Sequence, residues 1–364
     1  MKIGIITIHN VSNYGAVLQS YALKEVIKDK YDVNIINFDN RHVSKSLDLV
    51  RITPSLHGLL GTIKDIFRLL PRYRVINKFN NFITEKLDLS EFNDKELSKF
   101  TTLISGSDQI WNPGCISSNN TFRDEYFLSF ATPKQKKISY ASSCGAYKFN
   151  NIEEEVLFEY LKDYKSISSR EYESSLYLSK ITNKEVSFVL DPTLLLNKKQ
   201  WIDKIKPKKI IKGKYILLYV IKKTNLLKEI VEKVKSQLNL KVILVEQGLH
   251  FSNIVDKHIR DAGPTDFISL INDAEYIITD SFHGTTFSII FKKNFISVSP
   301  GKNVNRIKSL LNTLNLENRL INEINDLDET IIKTNINYND SYSILENEIK
   351  KSKDYLFSAI EKQE

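Results

Sequence analysis

The stretch KIGIITIHNVSNYGAVLQSYALKEVIKDKYDVNIINF, residues 2–38, decides the fold. Lys2–Ile8 is a nearly unbroken apolar run, the pattern of a strand buried on both faces of a parallel sheet. Asn10–Gly15 is a polar turn containing a glycine. Ala16–Lys28 then sets Val17, Leu18, Tyr21, Ala22 and Val26 at helical spacing, and Val33–Phe38 reads as the next strand. Strand, helix, strand is a βαβ opening, the building unit of a parallel sheet.

Outward from this opening the alternation continues. Strands are expected at Thr102–Ser105, Lys137–Ala141, Ser166–Ser168 and Val186–Leu190, with helices at Ile152–Leu161 and Tyr172–Leu178. A lysine-rich stretch, Lys204–Lys214, contains Pro207 and Gly213 and reads as a boundary. Beyond it come strands Tyr215–Val220, Lys241–Val245, Tyr276–Thr279 and Phe295–Val298. Helices Leu226–Gln237, Thr265–Asn272, Phe282–Phe291 and Arg306–Leu314 separate and follow them. A chain of 364 residues suits two domains at roughly 100–200 residues each. The fold expected is therefore α/β, with two doubly wound Rossmann-like domains over residues 1–205 and 206–335. An amphipathic C-terminal helix at 341–362 would return to the first. Residues 42–100 interrupt the first domain with a helical insertion. Its helices, Ser55–Leu70 and Arg72–Leu87, should be split by Pro71. Lys64, Arg68, Arg72, Arg74 and Lys78 give the segment 55–87 a basic face, either solvated or turned to an acceptor or an anionic membrane surface.

Composition narrows the function classes. With 41% hydrophobic and 26% charged residues the chain is neither disordered nor collagen-like. No apolar run approaches the ~20 residues of a membrane helix. The N-terminus looks like a strand rather than a signal peptide. Two cysteines, Cys115 and Cys144, fit a reducing compartment, so a cytoplasmic location is expected. Lys and Arg outnumber Asp and Glu by 52 to 44, a net charge of +8. The lysines are dispersed and no nucleic-acid motif accompanies them, which disfavours DNA or RNA. No motif of metal-ligand spacing is present, and neither metal nor cofactor is expected.

In doubly wound sheets ligands bind outside the carboxyl ends of the strands, and four polar constellations fall there. Asn10–Gln19 follows the first strand. Its exposed backbone N–H groups, with Asn13 and Gln19, would favour an anion or a hydroxylated ligand, or would simply make a capped turn. Ser105–Asn112 resembles a sugar-binding surface. In that reading Asp108 and Gln109 bind hydroxyls and Trp111 covers a ring face; otherwise the loop has a buried tryptophan. Arg170, at a strand terminus in a chain short of arginine, is a natural carboxylate or phosphate clamp with Glu171 beside it; the alternative is an ion pair. Asp280-Ser281-Phe282-His283-Gly284-Thr285 opens a helix whose free N–H groups attract phosphate, with His283 poised to touch a ligand. Arg306 would add a second charge.

Taken together, Asn-Tyr-Gly-Ala-x-Leu-Gln (13–19), Gly-Ser-Asp-Gln-Ile-Trp-Asn (106–112), Ser139–Gly145, Ser-Arg-Glu (169–171), Leu-Asp-Pro-Thr (190–193), Asp-Ser-Phe-His-Gly (280–284) and Asn-Arg-Ile (305–307) resemble, in order, the polysaccharide pyruvyl transferase family. The resemblance implies a glycosyltransferase-B-like fold. It also implies transfer of the enolpyruvyl skeleton of phosphoenolpyruvate to a hexose of a surface polysaccharide or its lipid-linked precursor. Phosphoenolpyruvate is then the donor substrate and no cofactor is needed. By the same resemblance Arg170 and His283, with Arg306, should meet the donor. Ser281, Gly284 and Thr285 belong to its phosphate turn. His283 is the acid or a phosphate ligand, and Asp108 or Glu171 the base. Many relatives have an acidic residue after the first-turn glycine; this chain has Ala16, so no acid–base role carries over there. Two other readings remain at this stage. One is a nucleotide-sugar glycosyltransferase using Glu246 or Asp280. The other is a non-catalytic sugar- or anion-binding protein.

Overall fold

The computed structural model describes residues 1–50, 68–248, 253–301 and 304–362. The chain divides into two compact units. Unit 1 comprises Met1–Leu47, Asn81–Leu196 and the chain from Glu346 onward; unit 2 comprises Asp48–Asn80 and Asn197–Leu345.

Unit 1 is built on a parallel sheet ordered β3-β2-β1-β4-β5. Its strands are β1 (Lys2–Ile6), β2 (Asp32–Asn37), β3 (Leu89–Glu91), β4 (Thr102–Ser105) and β5 (Lys136–Ser139). Ile3 pairs with Val33 on one side, and Ile5 with Ile104 on the other. The continuous apolar run of the opening thus becomes a central strand with both faces covered. A short parallel pair, β6 (Ile167–Ser169) and β7 (Val186–Phe188), extends the sheet through the bridges Ile138–Ser166 and Ser142–Ser169. Helix Tyr14–Lys28 packs almost wholly buried after β1. The last part of helix Asn339–Glu361 belongs to this unit. There the Tyr355 hydroxyl donates to the Ser139 carbonyl at 3.0 Å, and Leu356 and Ile360 are fully buried.

Unit 2 repeats the plan in six parallel strands ordered β10-β9-β8-β11-β12-β13. These are β8 (Tyr215–Tyr219), β9 (Lys241–Val245), β10 (Lys257–Ile259), β11 (Tyr276–Thr279), β12 (Asn294–Val298) and β13 (Leu320–Ile321). Numbered within the unit this is 3-2-1-4-5-6, the Rossmann order, whose direction of winding reverses between the first and fourth strands. The expected α/β class with two Rossmann-like sheets is what the chain adopts.

The insertion differs from expectation in two ways. Pro71 does not split two helices. It lies in the first turn of a single helix, Leu69–Lys86, where a missing N–H leaves no intrahelical bond unmade. The expected helix from Ser55 falls on residues 51–67, outside the described residues. Nor does the segment belong wholly to the first domain, because its described residues 48–50 and 68–80 fall in unit 2. Its basic side chains explain this. Arg68 donates to the Gln247 carbonyl at 3.1 Å, and Lys78 to Asp266 at 2.7 Å. Arg74 faces Asp261 at 3.6 Å. Arg72 is buried and donates to the carbonyls of Asp48 and Leu49. The basic face, expected to be solvated or turned to an acceptor or membrane, is in its described part partly engaged by acceptors in its own unit. Among the described residues no helix is long and apolar enough to cross a membrane.

Candidate active site

The carboxyl edge of unit 1 collects acidic side chains around one arginine. β6 ends at Ser169, so Arg170 and Glu171 emerge at its tip. Asp108 follows β4, and Asp191 follows β7. Arg170 Nη1 lies 2.7 Å from Asp191 Oδ2, Nε 3.4 Å from Glu171 Oε1 and Nη2 3.6 Å from Asp108 Oδ1. Arg170, Glu171 and Asp191 are buried; Asp108 is partly exposed. Burial opposes the guanidinium charge. Asp191, Glu171 and Asp108 more than offset this and hold its proton beyond the usual range. The guanidinium expected to clamp a donor thus has each of its three nitrogens facing a carboxylate of its own unit, and it holds those carboxylates together.

That arrangement leaves acceptor capacity. Glu171 Oε1 accepts from the Ser143 hydroxyl at 2.7 Å, whereas its Oε2 is buried without a hydrogen-bond partner. Asp108 Oδ1 accepts from the Gln109 amide N–H at 2.9 Å. Asp108 also sits at φ +75°, a left-handed conformation that costs a non-glycine residue on the order of 1 kcal/mol or more and tends to persist where a site needs it.

The other residues expected in this unit have structural contacts. Trp111 has no exposed surface. Its ring stacks on Phe127 at 5.7 Å and meets Tyr164 edge-on, so it covers core rather than a sugar. Gln19 is likewise fully buried. Its amide donates to Ala16 O at 2.9 Å and Thr7 Oγ1 at 3.0 Å, fastening the first turn from inside. Asn13 caps helix Tyr14–Lys28, accepting from the Ala16 N–H at 3.2 Å. Gln109 accepts from Asn112 Nδ2 at 2.9 Å and packs against Gly145, whose φ of +58° and close approach to Gln109 leave no room for a Cβ. Two residues on this edge had no role in the sequence reading, Asp191 and His9. Asp191 entered only as the acidic residue of the Leu-Asp-Pro-Thr segment (190–193), with no role of its own. His9 is buried just beyond β1, between the Thr7 carbonyl at 3.0 Å and Asn37 Oδ1 at 3.1 Å. Burial lowers its pKa; its contacts with Thr7 and Asn37 and the charge of Asp39 oppose the shift without cancelling it.

The carboxyl edge of unit 2 has the opposite character. At the reversal point, Asp280 accepts from the N–H groups of Ile221 at 2.6 Å and Lys222 at 2.8 Å, tying the end of β11 to the end of β8. Burial pushes its carboxyl up, and those two N–H groups restrain the shift. Ser281 caps helix Phe282–Ile290. His283 lies in the first turn of that helix, buried except for a small face, its ring edge-on to Phe282 at 5.2 Å. Arg306 enters from the first turn of helix Asn305–Thr313, its guanidinium 5.8 Å from the centre of the Phe282 ring. Lys222, Asp280, Phe282 and Arg306 line a small recess. Two helix N-termini, an arginine and a lysine make this edge favourable to an anion. Two residues expected at the ligand are also packing positions. A Cβ on Gly284 would lie 2.2 Å from Thr279 Oγ1, so glycine is there for close helix–strand approach. Thr285 is fully buried, its hydroxyl shared between Ser281 O and Ser297 Oγ. Glu246, an acidic residue that a nucleotide-sugar reading requires, is 2.8 Å from Lys223, and Asp280, the other, is engaged as described.

Sequence comparison shows the family. The polysaccharide pyruvyl transferase family model matches residues 13–302, which include Asp108, Arg170, Glu171, Asp191, Asp280 and His283 but not His9 or Arg306. The chain belongs to the polysaccharide pyruvyl transferase family. No curated protein matches it. Among solved structures it is similar to UDP-GlcNAc 2-epimerase from Methanocaldococcus jannaschii, at 14% identity over 98% of this chain and 100% of that one, TM-score 0.56. It is also similar to the enzymes of that name from Rickettsia bellii (10% identity, 98% and 96% covered, TM-score 0.52) and Neisseria meningitidis (11%, 98% and 100%, TM-score 0.50). At such identities the likeness is one of fold. It places this member of the pyruvyl transferase family on a glycosyltransferase-B-like scaffold. Among the described residues no group of His, Cys, Asp and Glu side chains is arranged to hold a metal ion.

Proposed function

We propose that this chain transfers the enolpyruvyl skeleton of phosphoenolpyruvate to a hexose, forming a pyruvate ketal across two hydroxyls and releasing phosphate. The observation that carries the reading is the opposite chemistry of the two strand edges. The unit 2 edge, with Arg306, Lys222 and the helix whose first turn holds His283, suits a small polyanionic donor. The unit 1 edge, with Glu171 Oε2 and Asp108, suits hydroxyl groups that must lose protons.

The balance of the reaction assigns the roles. The methylene carbon of the donor takes a proton, leaving an oxocarbenium-like centre. One sugar hydroxyl adds to it and gives up its proton to a base. Phosphate leaves, and a second hydroxyl closes the ketal. Of the two hydroxyl protons released, one replaces that given to the methylene carbon and the other leaves on phosphate. His283 serves as the acid or as a donor to the phosphate oxygens, and Glu171 or Asp108 as the base. Arg170 positions both carboxylates. The acceptor is a hexose unit of a surface polysaccharide or of its lipid-linked precursor, and the reaction takes place on the cytoplasmic side.

The test is incubation of the protein with phosphoenolpyruvate and a panel of galactosides and mannosides, reading phosphate release and mass gain of the glycoside. His283→Ala and Glu171→Gln should each lower turnover by about 10²–10⁴-fold. Full turnover in both variants would overturn the assignment. Stabilisation by UDP-sugars but not by phosphoenolpyruvate in a thermal-shift series would favour a glycosyltransferase.

A further inference from the structure

Unit 1 carries a second concave site at the opposite end of its strands. A cavity of about 520 Å³ opens where β5, β6 and β7 begin, between the loop that starts at Ala131 and the Lys162–Lys165 turn before β6. Strand β5 separates it from the acidic edge, a span on the order of 13 Å for four residues. Lys137, Lys162, Lys165 and Lys184 line it, with Asp163 as the one acidic side chain.

The ion pairs leave positive charge over. Lys162 pairs with Glu159 at 2.5 Å and Lys137 with Asp163 at 3.8 Å. Among the described residues neither Lys165 nor Lys184 has a carboxylate within ion-pair distance. Lys184 donates to the carbonyls of Lys162 and of Tyr164, the latter at 3.0 Å, just past helix Asn151–Leu161, where the helix dipole is negative. Those carbonyls account for its position. They leave its charge without a counter-ion. Burial draws the Lys184 ammonium below its ordinary range, Asp163 opposes the shift, and Lys165 and Lys137 add to it. The lysines therefore repel one another in a concave site, and an anion seated among them would relieve that repulsion.

We propose that this cavity binds a small, multiply charged phosphate ester of the sugar phosphate class. Lysine ammoniums are point charges with rotatable donors. They suit the tetrahedral array of phosphate oxygens, whereas planar carboxylate recognition favours the arginine fork, and no arginine lines this cavity. The volume falls in the range of small-molecule sites, roughly 300–1,000 Å³, and exceeds what a lone phosphate fills. The site stands apart from the donor chemistry of unit 2 and does not rest on the proposed reaction.

The experiment is calorimetric titration of the full chain with a hexose 1-phosphate, alongside inorganic phosphate, the neutral hexose and a hexuronic acid. The hexose 1-phosphate should bind most tightly, and raising the salt concentration should weaken it. Lys165→Glu should weaken binding by at least tenfold, and Lys165→Ala by less, with circular dichroism unchanged in both. His283→Ala should leave it intact. Equal affinity in wild type and Lys165→Glu would overturn the proposal. So would loss of binding in His283→Ala with Lys165→Glu unaffected, because the ligand would then occupy unit 2. Tighter binding of the hexuronic acid than of the phosphate ester would overturn the ligand class.

Discussion

The two units solve the same folding problem and reach opposite electrostatics. Each is a parallel sheet wound outward from its first strand, and each gathers polar residues where its strands end. In unit 1 that edge is three acidic side chains around a buried Arg170. In unit 2 it is two helix N-termini with Arg306 and Lys222, while Asp280 is engaged in joining two strands and Glu246 is paired with Lys223. The scaffold settles where a site forms. The charge of a handful of side chains settles what it can hold. A sugar hydroxyl needs a base and a trianionic donor needs cations, so the contrast is what the proposed reaction requires.

The comparison breaks most severely at Arg170. Arg170→Ala would leave Asp191, Glu171 and Asp108 facing one another with no cation between them. Breaking a buried ion pair in this way costs about 3–5 kcal/mol, so the urea midpoint of the full chain should fall accordingly. Arg170→Lys keeps the charge and loses the fork that reaches three partners, and should fall between. A loss below about 1 kcal/mol in Arg170→Ala would mean that the cluster is solvated and that Arg170 is free for a ligand after all.

In unit 2 the corresponding weak point is steric. Gly284→Ala places a Cβ against Thr279 Oγ1 and should destabilise by about 1–3 kcal/mol through overpacking. Pairing it with Thr279→Ala should recover only part of that loss, because Oγ1 and Cγ2 are removed while Cβ stays 2.9 Å away and the Ser281 N–H loses its acceptor. Equal loss in the single and double variants would show that the glycine is needed for something other than close packing.

How far the sequence carries a reader depends on the same contrast between scaffold and side chain. Strands Thr102–Ser105, Lys241–Val245 and Tyr276–Thr279 are legible to the residue because apolar runs in a parallel sheet are bounded by turn signals. Leu89–Glu91, Lys257–Ile259 and Leu320–Ile321 were missed. They are the outermost strands of their sheets, two or three residues long, too short to show periodicity. Pro71 was read as a break because sequence shows that proline disrupts helices but not that the helix begins there. At the sites, position was legible and partnership was not. A scarce arginine at a strand end announced itself. Its carboxylate partners Asp108 and Asp191 are distant in sequence and meet it only through sheet order. Trp111 beside amide residues reads the same whether it faces solvent or core, and only the Phe127 ring decides.

The smallest effect separates the two edges by pH. His9 is fully enclosed in unit 1, and burial keeps its folded pKa below the ordinary 6.5. In the unfolded chain the imidazole takes a proton near that ordinary value. As pH falls through it, the unfolded state gains a proton that the folded state resists, so stability must fall with pH. Between pH 7.5 and 5.5 stability attributable to His9 should be lost, by no more than ~1.4 kcal/mol per pH unit for one proton. His9→Gln removes the titration and leaves Asp and Glu residues elsewhere unchanged. The stability difference between wild type and His9→Gln, taken from urea midpoints, should therefore shift within that limit across the interval in favour of the variant at low pH. A difference that stays flat would mean that the imidazole is protonated in place. The acid-rich edge of unit 1 would then hold a second internal cation beside Arg170, with less negative charge left to face an acceptor.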